Sequence, residues 1–424
     1  MRLYSTASRS LEELPPPPGP VRIYACGPTV YQRIHVGNAR PFVLSLWLKR
    51  WLEATGYEVV LAENITDVND KIYEAAPGAS ADLAERATRW YIEDTEAFGL
   101  GRPDVEPKAT ETIPEIVALI QELLDRELAY PAAGDVYFRV ARYPEYGLFS
   151  GADPDEIRSQ EEPNRLKEDA RDFALWKGTK EGEDTSWQAP WGEGRPGWHI
   201  ECSAMAEKFL GPEFEIHMGG IDLQFPHHEN EIAQSRGAGR PFARIWMHNG
   251  LLQFVGEKMS KSVGNVVSLH DALERWGRET LLVYFLSGHW RKPIDYTDEA
   301  LEAAAARAER FRNVFRNTSE PPPEGAWDEL ARALEDDFNT PEALAVLHEW
   351  RDHDLLRRAL AIFGLDSLGE TEEAPPEVHE LARRRQAARE AQDWAEADAL
   401  RAEIEAAGWE ARDEAGGYRL VRRA

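Results

Sequence analysis

The chain has 424 residues, 42% of them hydrophobic, and 14 tryptophans, which is enough apolar material for roughly two to four folded domains. Its formal net charge of −27 excludes a protein that coats nucleic acid through general positive charge, although a local basic surface can still act. No apolar run approaches the roughly 20 residues of a membrane span, and the amino-terminal segment lacks the apolar core of a secretion signal. We therefore expect a cytoplasmic protein without a membrane partner.

The first regular pattern is a short buried strand, a turn, a helix and a second strand. Apolar residues 21–25 predict the first strand, and Gly27 with Pro28 predicts the turn after it. A helical pattern runs from about residue 38 to 54, and residues 57–62 form the next apolar run. This order predicts the start of a parallel α/β sheet.

The residue composition and the predicted secondary structure then change several times along the chain. Residues from about 120 to 195 combine turns, charge runs and isolated tryptophans, and we interpret them as an irregular insertion. Strand-like segments return at residues 214–217 and 245–248. After residue 298 the pattern is helical, and a segment rich in Glu and Pro from Gly369 predicts a linker before one last helix at residues 381–407.

The chain contains only two cysteines, Cys26 and Cys202, and a reducing cytoplasm weakens the case for a disulfide between them. His227 follows the second cysteine, and its i, i+4 spacing to Glu231 places the two side chains on one helix face. The neighbouring His228 is expected to point elsewhere. Two thiolates, an imidazole and a carboxylate form a ligand set that suits Zn²⁺. A capping or core role for His227 is the alternative.

A second polar segment, His35-Val36-Gly37-Asn38, lies at the predicted start of the first helix. Gly37 lets a ligand approach the backbone, and the amino end of the helix favours negative charge. Since His35 and Asn38 lie three residues apart, their donors can face one phosphate group. An ordinary helix-capping turn would also explain the segment.

A third segment, Lys258-Met259-Ser260-Lys261-Ser262, combines two lysines with small hydroxyl residues and a following glycine. It predicts a mobile cationic loop that can neutralise a pyrophosphate group as it leaves an α-phosphate. A solvated surface loop is the alternative when the segment is taken alone.

Together, HVGN and KMSKS resemble the signature pair of class I aminoacyl-tRNA synthetases, and the rest of the chain resembles the cysteinyl-tRNA synthetase family. The resemblance covers nearly the whole sequence. The matching strings are CGPTVY at 26, NITDVNDK at 64, GDVYFRV at 134, DFALWK at 172, GRPGWHIECSAM at 194, FPHHENEIAQ at 225, GEKMSKSVGN at 256, DDFNTPEALAVL at 336 and DWAEADALRAEIEAAG at 393.

The resemblance implies an α/β fold: a Rossmann-type parallel-sheet catalytic domain with an insertion, then a helical bundle and a small C-terminal α/β anticodon-binding domain. On this basis we divide the chain into six parts. They are the first half of the catalytic domain (1–120), the insertion (121–195), the second half (196–250), the KMSKS-loop and stem-contact region (251–298), the helical bundle (299–368) and the anticodon-binding domain (369–424).

The implied activity is a cysteine–tRNA ligase that makes cysteinyl-adenylate and pyrophosphate from L-cysteine and ATP, and then transfers cysteine to the 3′ end of tRNA-Cys. One Zn²⁺ per chain and Mg²⁺ on the ATP are the implied metals, and we expect a monomer. Zinc would bind the substrate thiol as thiolate and so select cysteine over serine, which apolar pockets alone separate poorly.

The resemblance also assigns residues to each part of this activity. The implied zinc ligands are Cys26, Cys202, His227 and Glu231. The residues around the bound cysteine are Thr66, Trp198 and Asp222. The catalytic residues are His35, Asn38, Lys258 and Lys261. The nucleotide lies against Thr29, Gly37, Gly219, Gly220 and Lys261. The anticodon is read by Arg389, Trp394, Asp398 and Asp413, although Trp394 would also fit the core of an amphipathic helix.

Two departures from the family pattern matter. Asn38 stands where the general class I signature has a second histidine, so it can donate a hydrogen bond but cannot carry charge. Residues 338–383 look shorter than in the family, which affects how the anticodon end docks. Two alternatives stay open: a cysteine ligase of mycothiol synthesis, which joins cysteine to an amino sugar, and a non-catalytic relative that binds zinc or tRNA.

Overall fold

The structure is a computed structural model, and it describes residues 1–152, 165–254, 257–258, 266–370, 374–414 and 417–422. The amino-terminal part forms four strands and three helices. They are β1 (Arg2–Ser5), β2 (Ser10–Glu13), β3 (Pro20–Ala25), α1 (Val36–Ala54), β4 (Glu58–Glu63), α2 (Asp70–Ala75) and α3 (Ser80–Glu96). β3 and β4 pair in parallel across the crossover helix α1, so the predicted strand–helix–strand unit is confirmed.

The insertion is not irregular, and that prediction was wrong. Its elements are α4 (Ile113–Asp125), β5 (Ala129–Ala132), β6 (Asp135–Phe138), β7 (Phe173–Gly178), β8 (Trp187–Ala189) and β9 (Gly192–Pro196). The strands form one antiparallel sheet in the order β5-β6-β7-β9-β8. They are three to six residues long, and the β6–β7 register shifts between Val136 and Tyr137, so no extended alternation is visible in the sequence.

The second half of the catalytic domain completes the central sheet. Its elements are α5 (Trp198–Leu210), β10 (Glu213–Gly220), α6 (Glu229–Gly237) and β11 (Phe242–Asn249). The sheet has four parallel strands in the order β11-β10-β3-β4, with α1 packed on one face and α5 on the other. Because the chain leaves β3 toward β4 and later returns to place β10 on its other side, a crevice opens at the carboxyl ends of these strands.

The rest of the chain is mainly helical, as predicted. After the sheet come β12 (Leu252–Phe254), β13 (Glu257–Lys258), α7 (Leu269–Trp276), α8 (Arg278–Leu286) and β14 (Ile294–Asp295). The helical region consists of α9 (Asp298–Arg316), α10 (Ala326–Glu335), α11 (Thr340–Glu349) and α12 (His353–Ile362). The C-terminal unit consists of α13 (Pro376–Glu390), α14 (Trp394–Ala406) and the hairpin β15 (Trp409–Glu414) and β16 (Gly417–Arg422).

The C-terminal unit corrects the prediction of one helix over residues 381–407. The chain turns at Gln392, whose φ is 61°, and the Asp393 side chain caps α14 by accepting a hydrogen bond from the Glu396 amide. Two helices and a hairpin therefore enclose a small core with Val378, Ile404 and Trp409. The six-part division of the chain stays a prediction. Within the described ranges, no helix is both long enough and apolar enough to cross a membrane.

Gly197 fixes the junction between the insertion and α5. Its amide donates to the Leu175 carbonyl at 2.9 Å, and a β-carbon at this position would lie 2.1 Å from the Ala174 carbonyl oxygen. We expect Gly197→Ala to lower the free energy of unfolding by about 1–3 kcal/mol, because the backbone must move. The midpoint of thermal unfolding measures the effect. Gly19→Ala is the matched control, since the nearest atom to its added methyl is 3.9 Å away. Equal midpoints for the two variants would contradict the role of Gly197 in fixing the junction between the insertion and α5.

Candidate active site

The candidate site lies in the crevice at the carboxyl ends of β3, β4, β10 and β11. A cavity of about 400 Å³ opens there. Of the residues that the sequence assigned to the site, those that line it are Cys26, Thr29, His35, Gly37, Asn38, Trp198, Gly220 and Asp222. The residues come from separate segments, and the parallel sheet brings them together because each segment follows the end of a strand or begins a helix.

One end of the crevice holds the four residues predicted to bind a metal. Cys26, Cys202, His227 and Glu231 each offer a donor atom, and these atoms all lie within 4.8 Å of one another. His227 Nε2 lies 2.9 Å from Glu231 Oε1, and Cys26 Sγ lies 3.6 Å from the same oxygen. The predicted pairing of His227 with Glu231 is therefore seen in the structure.

The structure also brings together a second set, which the sequence reasoning missed. Cys26, His217, His228 and Glu231 meet the same 4.8 Å criterion. The prediction that His228 points elsewhere was wrong: it lies three residues before Glu231, and this i, i+3 spacing brings its ring toward the same carboxylate as His227. The Nε2 atom of His228 lies 3.4 Å from Cys26 Sγ. His217 is an inward-facing residue of β10, and its Nε2 lies 2.8 Å from Glu231 Oε2.

Two further histidines, His199 and His248, each contact one imidazole of the cluster. His199 Nδ1 lies 2.9 Å from His227 Nδ1, which leaves Nε2 of His227 to face Glu231. His228 Nδ1 lies 2.7 Å from His248 Nε2, and the other nitrogen of His248 lies 2.6 Å from the Thr6 hydroxyl. Such contacts orient imidazoles around a metal and fix their tautomers. In the sequence, His199 and His248 stand in apolar, helix- or strand-forming segments, and this was the only signal that they are buried beside the cluster.

The electrostatics of the cluster favour a charged carboxylate and an ionised thiol. Burial acts to raise the pKa of Glu231, but His217 and His227 outweigh it and lower that pKa to about 2. Burial likewise acts to lower the pKa of His227, but the negative charges of Glu231 and Cys202 raise it to about 10. The hydrogen bond from Cys26 lowers the pKa of Cys202, while burial raises the pKa of Cys26. In the absence of a metal, one thiol ionises before the other.

The donors fit a soft divalent metal. Cys202 and Glu231 are buried, and Cys26 is partly exposed to the cavity. Two sulfurs, one imidazole nitrogen and one carboxylate oxygen match the ligands of zinc, and a metal bound here would take the thiols as thiolates. The alternative set has one sulfur and two imidazoles, which also suits zinc but is less soft.

The predicted cysteine-binding residues lie next to the cluster. Trp198 is partly exposed, lines the cavity and stacks on His227, with ring centroids 4.3 Å apart. Asp222 lies at the cavity wall, exposed to solvent. Thr66 is buried and does not line the cavity: its hydroxyl accepts a hydrogen bond from Asn64 at 3.1 Å, behind the backbone bridge to Thr29.

The predicted nucleotide-binding residues lie along the opposite part of the crevice. His35 precedes α1, and its ring occupies the space that a β-carbon at Gly37 would need, 2.9 Å away. A side chain at position 37 would press on the imidazole, so glycine leaves room for the His35 ring at the helix end. Gly219 lies against the His228 ring instead of the cavity. Lys258, in β13, pairs through its backbone with Gln253 of β12, whereas Lys261 lies outside the described residues.

The structure places the predicted anticodon-reading residues on the C-terminal unit. Trp394 is 59% exposed, which excludes a role in the core of that unit. Asp398 is exposed one turn later on α14. Arg389 Nη1 lies 3.1 Å from Asp413 Oδ2, and Arg385 bonds the same carboxylate. The basic partners lower the pKa of Asp413, chiefly through the hydrogen bond from Arg385.

Comparison with known proteins identifies the family. The model of the tRNA synthetases class I (C) catalytic domain matches residues 15–306, a DALR domain matches 330–365, and a cysteinyl-tRNA ligase anticodon binding domain matches 371–419. The cysteine–tRNA ligase of Caldicellulosiruptor saccharolyticus is 40% identical over 464 aligned residues that span 100% of both chains. The chain belongs to the cysteine–tRNA ligase family. A second member, from Geobacillus thermodenitrificans, is 43% identical and covers 96% of each chain.

Solved structures support the class I synthetase fold of this cysteine–tRNA ligase family member. Mycobacterium tuberculosis methionyl-tRNA synthetase in complex with methionyl-adenylate superposes with a TM-score of 0.58 at 16% identity, covering 82% of this chain and 88% of that one. A ternary LeuRS complex with tRNA from Agrobacterium radiobacter gives a TM-score of 0.60 at 11% identity, covering 84% and 86%. The predicted Rossmann-type catalytic domain, helical region and anticodon-binding domain are confirmed.

The two ligand sets make opposite predictions about metal content. Cys202 belongs only to the first set and His228 only to the second. We expect Cys202→Ala to lose most of its zinc, because a three-ligand site binds far more weakly. His228→Gln should keep about one zinc per chain. Atomic absorption on dialysed, folded protein measures both values. Zinc retained by Cys202→Ala but lost from His228→Gln would assign the metal to the second set.

Proposed function

We propose that this chain activates L-cysteine with ATP and then transfers the cysteinyl group to the 3′ end of tRNA-Cys. Membership of the cysteine–tRNA ligase family supports this activity. The observation that carries it is the buried cluster of two sulfurs, imidazole and carboxylate at one end of a nucleotide-sized crevice. A soft-metal site in that place is suited to a substrate that carries a thiol.

We assign zinc to Cys26, Cys202, His227 and Glu231. Oε1 of Glu231 faces Cys26 and His227, whereas His217 contacts the other oxygen, Oε2. His217 then acts as an outer partner that orients the carboxylate. When bound, zinc would supply a soft Lewis acid for the substrate sulfur, for which the oxygen of serine is a poorer ligand. Selection by a metal lessens the need for editing, since apolar pockets distinguish near-isosteres by only about 10–200-fold.

The remaining contacts to cysteine come from side chains at the rim of the cluster. Asp222 can pair with the substrate ammonium, and Trp198 provides a flat wall beside His227. Thr66 is assigned a supporting role behind Thr29, because its hydroxyl does not reach the cavity. These groups would leave the substrate carboxylate directed toward the nucleotide.

Adenylate formation needs no protein general base. A carboxylate oxygen of cysteine attacks the α-phosphorus of ATP, the new phosphorus–oxygen bond forms, and pyrophosphate leaves with the bridging oxygen and its electrons. Positioning and charge stabilisation can supply most of the rate. We assign these roles to His35 and Asn38 at the start of α1, and to Lys258 and Lys261, with Mg²⁺ on the phosphates. Thr29, Gly37 and Gly220, which line the cavity, are assigned to the nucleotide, whereas Gly219 is not because it faces His228.

The C-terminal unit is proposed to read the anticodon. An exposed Trp394 can stack on a splayed base, and the Arg389–Asp413 pair together with Asp398 can address base edges. This unit also favours tRNA over an amino sugar as the acceptor. A monomer in the cytoplasm stays our expectation for the working state of the protein.

Two assays on the purified protein test the proposal. We expect ATP–pyrophosphate exchange that depends on cysteine and not on serine, and charging of tRNA-Cys but not of glucosaminyl-inositol. Without cysteine-dependent exchange the proposal fails, and exchange followed by transfer only to the amino sugar would favour the mycothiol ligase.

Trp394→Ala separates the proposed anticodon contact from the activation of cysteine. Since stacking on one base contributes about 1–3 kcal/mol, KM for tRNA should rise about tenfold or more while cysteine-dependent exchange stays unchanged. Phe209→Ala serves as the control because Phe209 is an exposed aromatic on α5, outside the C-terminal unit. An unchanged KM for tRNA in Trp394→Ala would remove the anticodon role from this residue.

A further inference from the structure

Arg40 is a buried cation whose hydrogen bonds, within the described part of the chain, go to backbone carbonyls. It lies in the first two turns of α1 and is 1% exposed. Its guanidinium donates to the carbonyl oxygens of Gly250, Lys292 (2.8 Å) and His289 (3.1 Å). Among the described residues it forms no ion pair with a carboxylate, although Tyr284 lies near enough to interact with its charge. Burial lowers the pKa of Arg40 to about 10, so it stays charged at neutral pH.

The three carbonyls belong to segments that form the other wall of the crevice. Gly250 follows β11 and precedes Leu251 and Leu252, which line the cavity. His289 and Lys292 lie in the loop before β14, and β14 pairs with β12. β12 pairs in turn with β13, whose last residue is Lys258. One side chain therefore bonds the residue that lies between Asn249 and Leu251 of the cavity wall, and also the loop before β14, which supports β12 and β13.

The backbone around Arg40 is packed too closely to adjust independently. A β-carbon at Gly250 would lie 2.3 Å from the Lys292 carbonyl group, and the Gly250 amide already donates to the Trp290 carbonyl at 2.8 Å. A buried cation without an acidic partner is costly, because it gives up hydration for uncharged acceptors. The planar fork of arginine can meet several carbonyls at fixed angles, which the single ammonium of lysine cannot reproduce.

We propose that Arg40 is a positioning residue that sets the width of the nucleotide crevice, by tying the α1 end that carries His35 and Asn38 to the Leu251–Leu252 wall. The inference rests on the proposed function, since it takes this crevice as the ATP site. Arg40 touches none of the proposed metal ligands, which follow β3, lie on α5 or follow β10. Loosening this contact should therefore impair use of ATP and leave metal binding intact.

Arg50 provides a matched control on the same helix. Its guanidinium also donates to backbone carbonyls, those of Ala361 at 2.7 Å and Leu100 at 2.8 Å. Neither Arg50 nor its acceptors line the cavity. Burial lowers the pKa of Arg50 as well. Arg50→Lys thus removes the same kind of contact between α1 and another segment, at the far end of the helix from the crevice.

The test compares Arg40→Lys with Arg50→Lys in cysteine-dependent ATP–pyrophosphate exchange. We expect Arg40→Lys to lower kcat/KM for ATP by about 10- to 100-fold, because small misplacements of reacting groups have effects of that size. KM for cysteine and the zinc content should stay within about twofold of the unmodified protein, since the proposed ligands are separate from Arg40. Arg50→Lys should lower the thermal midpoint but leave KM for ATP unchanged.

The outcomes separate this inference from the proposed function. An unmodified protein without cysteine-dependent exchange defeats the proposed function itself. If the unmodified protein is active but Arg40→Lys lowers kcat/KM for ATP no more than Arg50→Lys does, the role of Arg40 is overturned and the proposed function stands. If Arg40→Lys does not fold, amide hydrogen exchange of the unmodified protein, with and without ATP, tests whether the Arg40 contact couples the two walls of the crevice. ATP should then slow exchange in residues 287–293, which do not line the cavity, and no change in that segment would overturn the proposal.

Discussion

The buried carboxylate of Glu231 is the group around which the active end of this protein is organised. Its two oxygens face different partners, Cys26 and His227 on one side and His217 on the other. A charged carboxylate in such a place would be unstable without partners, and the nearby imidazoles keep its pKa low despite burial. A cluster of negatively charged, soft donor atoms is therefore held at the crevice. The surrounding histidines, the π-type turn at residues 224–228 and the buried carboxyl end of β10 keep it in place.

The crevice depends on a second constraint, which is the relative position of its two walls. The proposed metal-binding end is built from residues after β3, on α5 and after β10, all held by the parallel sheet. The proposed nucleotide end is built from α1 and the segment after β11, which are joined through the buried guanidinium of Arg40. In the proposed function, substrate selection and nucleotide alignment therefore rest on different contacts, so substitutions should affect the two separately.

The sequence was most informative where a residue's role depends on local spacing. Cys26, His227 and Glu231 could be predicted because strand ends and an i, i+4 pair are visible in the chain. His217 could not be predicted, because it faces inward from a buried strand. His228 was missed because only the i, i+4 pair was considered, although its i, i+3 spacing to Glu231 also brings it to that carboxylate. The insertion sheet was missed for a related reason, since its strands are too short to show alternation.

The cluster is proposed to bind a metal that contacts the sulfur of the substrate. Cobalt(II) in place of zinc makes this visible, because each cobalt–thiolate bond contributes to the near-ultraviolet charge-transfer absorption. Titration of the cobalt protein with L-cysteine should increase this absorption and change the ligand-field bands, and L-serine at the same concentrations should change neither. A spectrum that cysteine leaves unchanged, or that serine changes equally, would contradict the account.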